Sequence, residues 1–295
     1  MKLLDYEIKV EGRANEVSLH PLGDVHEGAK NCAENQLRKT IREIEKDPHA
    51  RWFGGGDLIN AIKPDDIKRF DIKELPNWLF VGDADTIKDR LSDIVAQEVD
   101  RIGEILLPIA DKCIGLLEGN HERTMRKRYN YDAQKILCEK LHTINLYSAA
   151  WIRIFFRCGG RTQVIKIGIR HGYGSGRSAG AEPKKLADLL NYWQDCDIVF
   201  SGHTHTAESP APDVYLYLPN SGKLPSELLL KYRWAANWGC WLRTHASGSS
   251  TYEEDACYPP RPMMITKAVI TPFYHTTLKN KDLSLPKIEM KRITL

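Results

Sequence analysis

The stretch Val17-Ser18-Leu19-His20-Pro21-Leu22-Gly23-Asp24-Val25-His26 decides how the chain is read. A short apolar run stops at a glycine and delivers a carboxylate and an imidazole two residues apart. Four later stretches repeat the arrangement. Residues 51–53 lead into Gly54-Gly55-Gly56-Asp57, and residues 113–117 into Glu118-Gly119-Asn120-His121. Residues 164–169 lead into Arg170-His171-Gly172, and residues 197–200 into Ser201-Gly202-His203-Thr204-His205. Read as buried strands, the five runs all end in groups able to bind a cation. Strand ends are where open α/β sheets place their chemistry.

Neighbouring divalent cations need several N and O donors, one ligand shared between them, and open positions for water and substrate. Asp24 and His26 are spaced to point the same way from a strand or loop. Asp57 is a candidate bridge, Asn120 a neutral oxygen donor, and His171, His203 and His205 are imidazoles. This donor set suits manganese first, with iron, zinc or nickel as alternatives, over magnesium or calcium. Each motif alone has a plainer reading: a surface tripeptide, a tight turn, a helix start, a solvated loop. Together, in order and each closing a strand, they indicate a two-metal site. Five of the ten histidines (His26, His121, His171, His203, His205) fall in these motifs.

Asp24-Val25-His26, Gly56-Asp57, Gly119-Asn120-His121-Glu122, His171-Gly172 and Gly202-His203-Thr204-His205 resemble the five blocks of the calcineurin-like metallophosphoesterase superfamily, in the family's order across residues 23–205. The resemblance implies an α/β fold of two facing mixed β-sheets flanked by helices. It implies that Asp24, His26 and His205 hold one divalent metal ion, that Asn120, His171 and His203 hold the other, and that Asp57 bridges them. His121 would stand beside the leaving-group oxygen as general acid, with water activated between the cations attacking in line.

The chain departs from the protein-phosphatase branch of that superfamily after Asp57. There the second block continues with an Asp that backs the catalytic His, then Arg-Gly. Here the run is Leu58-Ile59-Asn60-Ala61-Ile62, with Asn60 in the Asp position and no Arg. A dianionic monoester loses a bidentate clamp, which favours a phosphodiesterase or nuclease-like enzyme acting on nucleic acid or nucleotides. The alternative is a phosphomonoesterase acting on a phosphoprotein or small metabolite. A third reading is a metal-free scaffold, disfavoured because all seven ligands are present.

Around the blocks, Arg123, Arg126, Lys127 and Arg128 form a basic segment, with Tyr129 and Tyr131 nearby. Arg123 and Asn60 are candidate substrate contacts, as is Arg177 in the glycine-rich segment 172–180. Apolar spacing predicts helices within 29–46, along one stripe through 85–111, and from Pro183 to Gln194. Strands are expected at 213–218, 226–233 and 264–275, forming a second sheet behind the first within one domain, 1–295. Trp234, Trp238, Trp241, Tyr252 and Tyr258 belong to aromatic linkers that either stack on a base or cap a core. Gly239-Cys240-Trp241-Leu242-Arg243-Thr244 is similar to phage and prophage metallophosphoesterases.

The chain has 295 residues, 42% of them hydrophobic, and a formal net charge of +3. That permits a polyanionic substrate without demanding one. Seven cysteines without a C-x-x-C pair argue against a disulfide framework or zinc knuckle. No apolar run reads as a leader or membrane span, so the expected setting is the cytoplasm, away from membranes.

Overall fold

Five strands of the chain carry its apolar runs to one edge of the molecule. In the computed structural model they are β2 (Val17–Leu22), β3 (Arg51–Gly54), β4 (Cys113–Leu116), β6 (Arg161–Arg170) and β7 (Ile198–Ser201). The structure describes residues 1–174, 180–217, 229–245, 254, 262–278 and 281–295.

β2, β3 and β4 run parallel to one another, as do β6 and β7. The two groups lie in different sheets. The first is extended by β11 (Met264–Leu278) and β12 (Lys281–Thr294) in the order β12-β11-β2-β3-β4. The second runs β1-β5-β6-β7-β10-β8, with β9 paired to β10. Its further members are β1 (Lys2–Lys9), β5 (Ala149–Cys158), β8 (Ala207–Glu208), β9 (Asp213–Tyr217) and β10 (Leu229–Trp238). Both sheets mix parallel and antiparallel pairs.

Phe53, Ile114 and Leu117 pack between the sheets against Ile152, Ile154, Phe156, Ile167 and Phe200 in one core. Helices cover the outer faces. α1 (Glu34–Lys46) buries Leu37, Ile41 and Ile44 against the Trp52 face of the first sheet. α3 (Ile94–Leu106) and α5 (Ala133–Lys140) join that layer. α6 (Ala181–Tyr192) sets Leu186, Leu189 and Leu190 against Val199 and Ala235 of the second sheet. Two facing mixed sheets flanked by helices are the expected architecture.

Three expectations change. The C-terminal strands do not build a sheet of their own: β10 extends the β6–β7 sheet, and β11 pairs with β2. The stripe through 85–111 is divided into α2 (Ala84–Ser92), α3 and a 3₁₀ turn, Leu107–Lys112. Asp93 causes the first break by leaving helical geometry and accepting the Ala96 N–H as an N-cap. α6 starts at Ala181, so Pro183 lies in its first turn rather than at its first position.

Candidate metal centre

The strand-end loops are tied to each other before any side chain is considered. Asp24 N–H donates to the Gly56 carbonyl, and Val25 and His26 N–H both donate to the Asp57 carbonyl, at 2.9, 2.9 and 3.0 Å. Glu122, buried in the first turn of α4 (Asn120–Tyr129), organises the second and third blocks. Its carboxylate accepts from the N–H groups of Asp57 (3.0 Å), Leu58 (2.7 Å) and Gly119 (3.0 Å). The sequence marked Glu122 only as part of a motif. Its work as the clamp that orients Asp57 follows from the buried contact.

The backbone is held away from its easiest conformations here. Asp24, His26, Asp57, His203 and His205 have positive φ, between 50° and 75°. For non-glycine residues the left-handed region costs about 1–2 kcal/mol each. Such strain persists where surrounding structure over-determines it, typically at functional sites.

The seven expected donors converge. Asp24, His26 and His205 offer atoms within 4.8 Å of one another, and so do Asp57, His171 and His203. His26, Asp57 and His121 form a third such group that joins the other two. His171 Nε2 lies 3.1 Å from Asp57 Oδ2 and 3.0 Å from Asn120 Oδ1. The other ring nitrogen, Nδ1, donates to the Gly55 carbonyl at 2.8 Å, which turns Nε2 toward the carboxylate.

Two features test the fit of a cation. Asp24 Oδ2 accepts from Trp238 Nε1 at 2.6 Å and from the His203 N–H at 2.9 Å, whereas buried Asp24 Oδ1 has no hydrogen-bond partner. The Nε2 atoms of His26 and His205 face each other at 3.2 Å, where two lone pairs repel unless a proton or cation stands between them. Asp24 Oδ1 instead faces His205 Nε2 at 3.5 Å, and a carboxylate oxygen set against converging imidazole nitrogens fits a divalent ion.

Burial works against ionising Asp57, yet His171, His121 and His26 hold its carboxyl well below the usual range. Asp24 behaves alike: burial raises it, and His205 and His171 more than reverse that. His26 is pushed well below an ordinary imidazole by burial, with His121 and His205 adding to it, and His203 is lowered by burial and His171. Neutral imidazoles are the ligating form. Burial also opposes a charged His171, but the Asp57 carboxylate lifts it to about 9, so a proton competes there with a cation.

His121 stands at the same mouth, its ring 4.7 Å from that of His26 by centroids. Its N–H donates to Asp57 Oδ1 at 2.9 Å, and its Nδ1 donates to the main-chain carbonyl of Asn60. Asn60 therefore meets His121 through its backbone. Arg123 is 3.5 Å from Glu118, which Arg126 also grips at 2.6 and 3.0 Å. Arg177, Tyr252 and Tyr258 lie outside the described residues. Trp238 and Trp241 are buried at 1% and 0% exposure. Trp238 forms the floor: a Cβ added at Gly23, Gly55 or Gly202 would come within 2.6, 2.6 or 2.1 Å of its ring.

No protein-family model matches the sequence, and no curated protein matches it. Similar solved structures include the calcineurin-like phosphoesterase YfkN from Bacillus subtilis (TM-score 0.43, 12% identity, 94% of this chain and 90% of that one). A predicted phosphoesterase from Streptococcus pneumoniae covers 94% of this chain and 99% of its own, at TM-score 0.34 and 12% identity. Vps29 from Entamoeba histolytica, solved with Zn²⁺, shares 11% identity at TM-score 0.35, over 94% of this chain and 99% of that one. At these scores no likeness assigns a role to a residue here. No described helix is long and apolar enough to cross a membrane.

Proposed function

We propose that the protein is a dinuclear metal-dependent phosphoesterase acting on phosphodiesters such as nucleic acids or nucleotides. The observation that carries this reading is the position of Asp57, whose carboxylate belongs at once to the group with His171 and His203 and to the group with His26 and His121. Asp24, His26 and His205 would hold one cation, Asn120, His171 and His203 the other, with Asp57 shared. The imidazole and carboxylate donors suit manganese, iron, zinc or nickel. Two such ions supply positive charge to phosphoryl oxygens and make water a nucleophile at neutral pH.

The chain's own groups do the rest. Fixed through Nδ1–H to the Asn60 carbonyl, the doubly protonated His121 ring presents Nε2–H to the leaving-group oxygen, gives it that proton and is left as the neutral Nδ1–H form. Glu122 and Trp238 hold Asp57 and Asp24 so that the donors need little rearrangement. Preference for a diester rests on the run Leu58 to Ile62, which brings no Arg beside His121, and on the pairing of Arg123 with Glu118. A monoester carries a second negative charge that such a mouth does not clamp.

Turnover by Mn-loaded protein on a nitrophenyl diester beside the matching monoester tests the reading. Faster diester cleavage is expected. Faster monoester cleavage puts the phosphomonoesterase alternative first, and inactivity on both counts against hydrolysis.

A further inference from the structure

His121 is oriented by a carbonyl, and that carbonyl has a history one peptide deep. The Asn60 C=O and the Ala61 N–H are opposite ends of the same planar peptide unit, so neither can turn without the other. The Asn60 end accepts from His121 Nδ1. The Ala61 end donates to Glu98 Oε2 at 2.7 Å.

Glu98 comes from the middle of α3, on the far side of the loop, and is 1% exposed. Its seat is tight: a Cβ added at Gly28 would stand 2.0 Å from Oε1. Oε1 has no hydrogen-bond partner. A buried carboxyl with one oxygen unpaired is costly, and an apolar side chain would fill the same space at less expense in solvation. What the carboxyl supplies is an acceptor for a peptide held out of its relaxed geometry, since Ala61 has φ of 49° and is 4% exposed.

We infer that Glu98 is a positioning residue for His121, fixing through the Asn60–Ala61 peptide the ring tautomer that leaves Nε2 facing the site. The rest of the loop is pinned independently: Glu122 takes the N–H groups of Asp57 and Leu58, and the Glu27 carbonyl takes that of Asn60 at 2.8 Å. Ala61 N–H is the donor left for Glu98. A bond polarised at one end of a peptide strengthens the acceptor at the other.

This rests on the reading of His121 as the proton donor, so the test has two readouts. Nitrogen-detected NMR of the zinc-loaded protein gives the His121 tautomer in the wild type, Glu98→Leu and Glu98→Gln. The Nδ1–H form is expected in the wild type and in Glu98→Gln, whose amide oxygen still accepts, and a mixture in Glu98→Leu. Turnover of Mn-loaded Glu98→Leu should fall about 10- to 100-fold on a phenyl or alkyl ester and less on a nitrophenyl ester, with metal content and KM unchanged. Glu98→Gln should recover most of the loss. An unchanged tautomer in folded Glu98→Leu, or an equal loss on both leaving groups, overturns the inference. If Glu98→Leu does not fold, Glu98→Asp withdraws the carboxyl by one methylene and carries the same comparison. A wild type that cleaves no ester sinks the hydrolytic reading, while the tautomer still decides the role of Glu98.

Discussion

Trp238 donates its indole N–H to Asp24 Oδ2 at 2.6 Å, from a ring that lies beneath three of the strand-end glycines. The contact joins the core between the sheets to the carboxylate at the head of the first motif. It leaves Oδ1 turned toward His205 Nε2, 3.5 Å away.

Replacing Trp238 with Phe keeps an aromatic floor and removes the donor. Groups that orient ligands without touching metal typically contribute 10–100-fold in affinity. Trp238→Phe is therefore expected to weaken metal binding about 10- to 100-fold, measured by calorimetric titration of the metal-free protein, while unfolding stays cooperative. Unchanged affinity would show that the His203 N–H alone orients Asp24.

His121→Ala separates a proton donor from a ligand, because His121 lies within reach of His26 and Asp57. The expected result is full metal content with kcat down about 10²–10⁴-fold on poor leaving groups, and less on nitrophenyl esters. Loss of metal instead would move His121 into the ligand set.

How much of this was legible in the sequence depends on the kind of strand. β2, β3, β4 and β7 are buried along nearly their whole length, so their apolar runs stand out and stop where the chemistry begins. β1 escaped because only alternate residues turn inward, Leu4, Tyr6 and Ile8, among exposed charges. β5 alternates in the same way, and β12 carries many charged residues. The helix break at Asp93 had a signal, an N-cap residue directly before an apolar run, hidden by a stripe that continues on both sides of it. The strand-end motifs were readable because each is local. Glu98, Glu122 and Trp238 act across 37, 65 and 214 positions of sequence separation, which no local pattern encodes.

A pH effect is expected away from the metal centre. His20 in β2 is 4% exposed, with Nε2 3.1 Å from Ser18 Oγ, and burial, aided by Lys267, pushes its pKa down to about 3. The unfolded chain titrates His20 near its ordinary 6.5, so between those values the unfolded state binds more protons. Stability from this group is complete above the unfolded pKa. It is lost as pH falls toward about 3, by up to about 1.4 kcal/mol per pH unit. Chemical denaturation from pH 7 to 4.5 should show His20→Leu losing less stability on acidification than the wild type. Equal losses would mean that His20 is not buried neutral.

The central claim is that Asp57 is shared by two cations, and metal stoichiometry tests it most directly. After loading with Mn²⁺ and gel filtration, elemental analysis should find two ions per wild-type chain and a loss at both sites in Asp57→Asn, to well under one. Full occupancy in Asp57→Asn, or a wild type that retains no metal, would contradict the account.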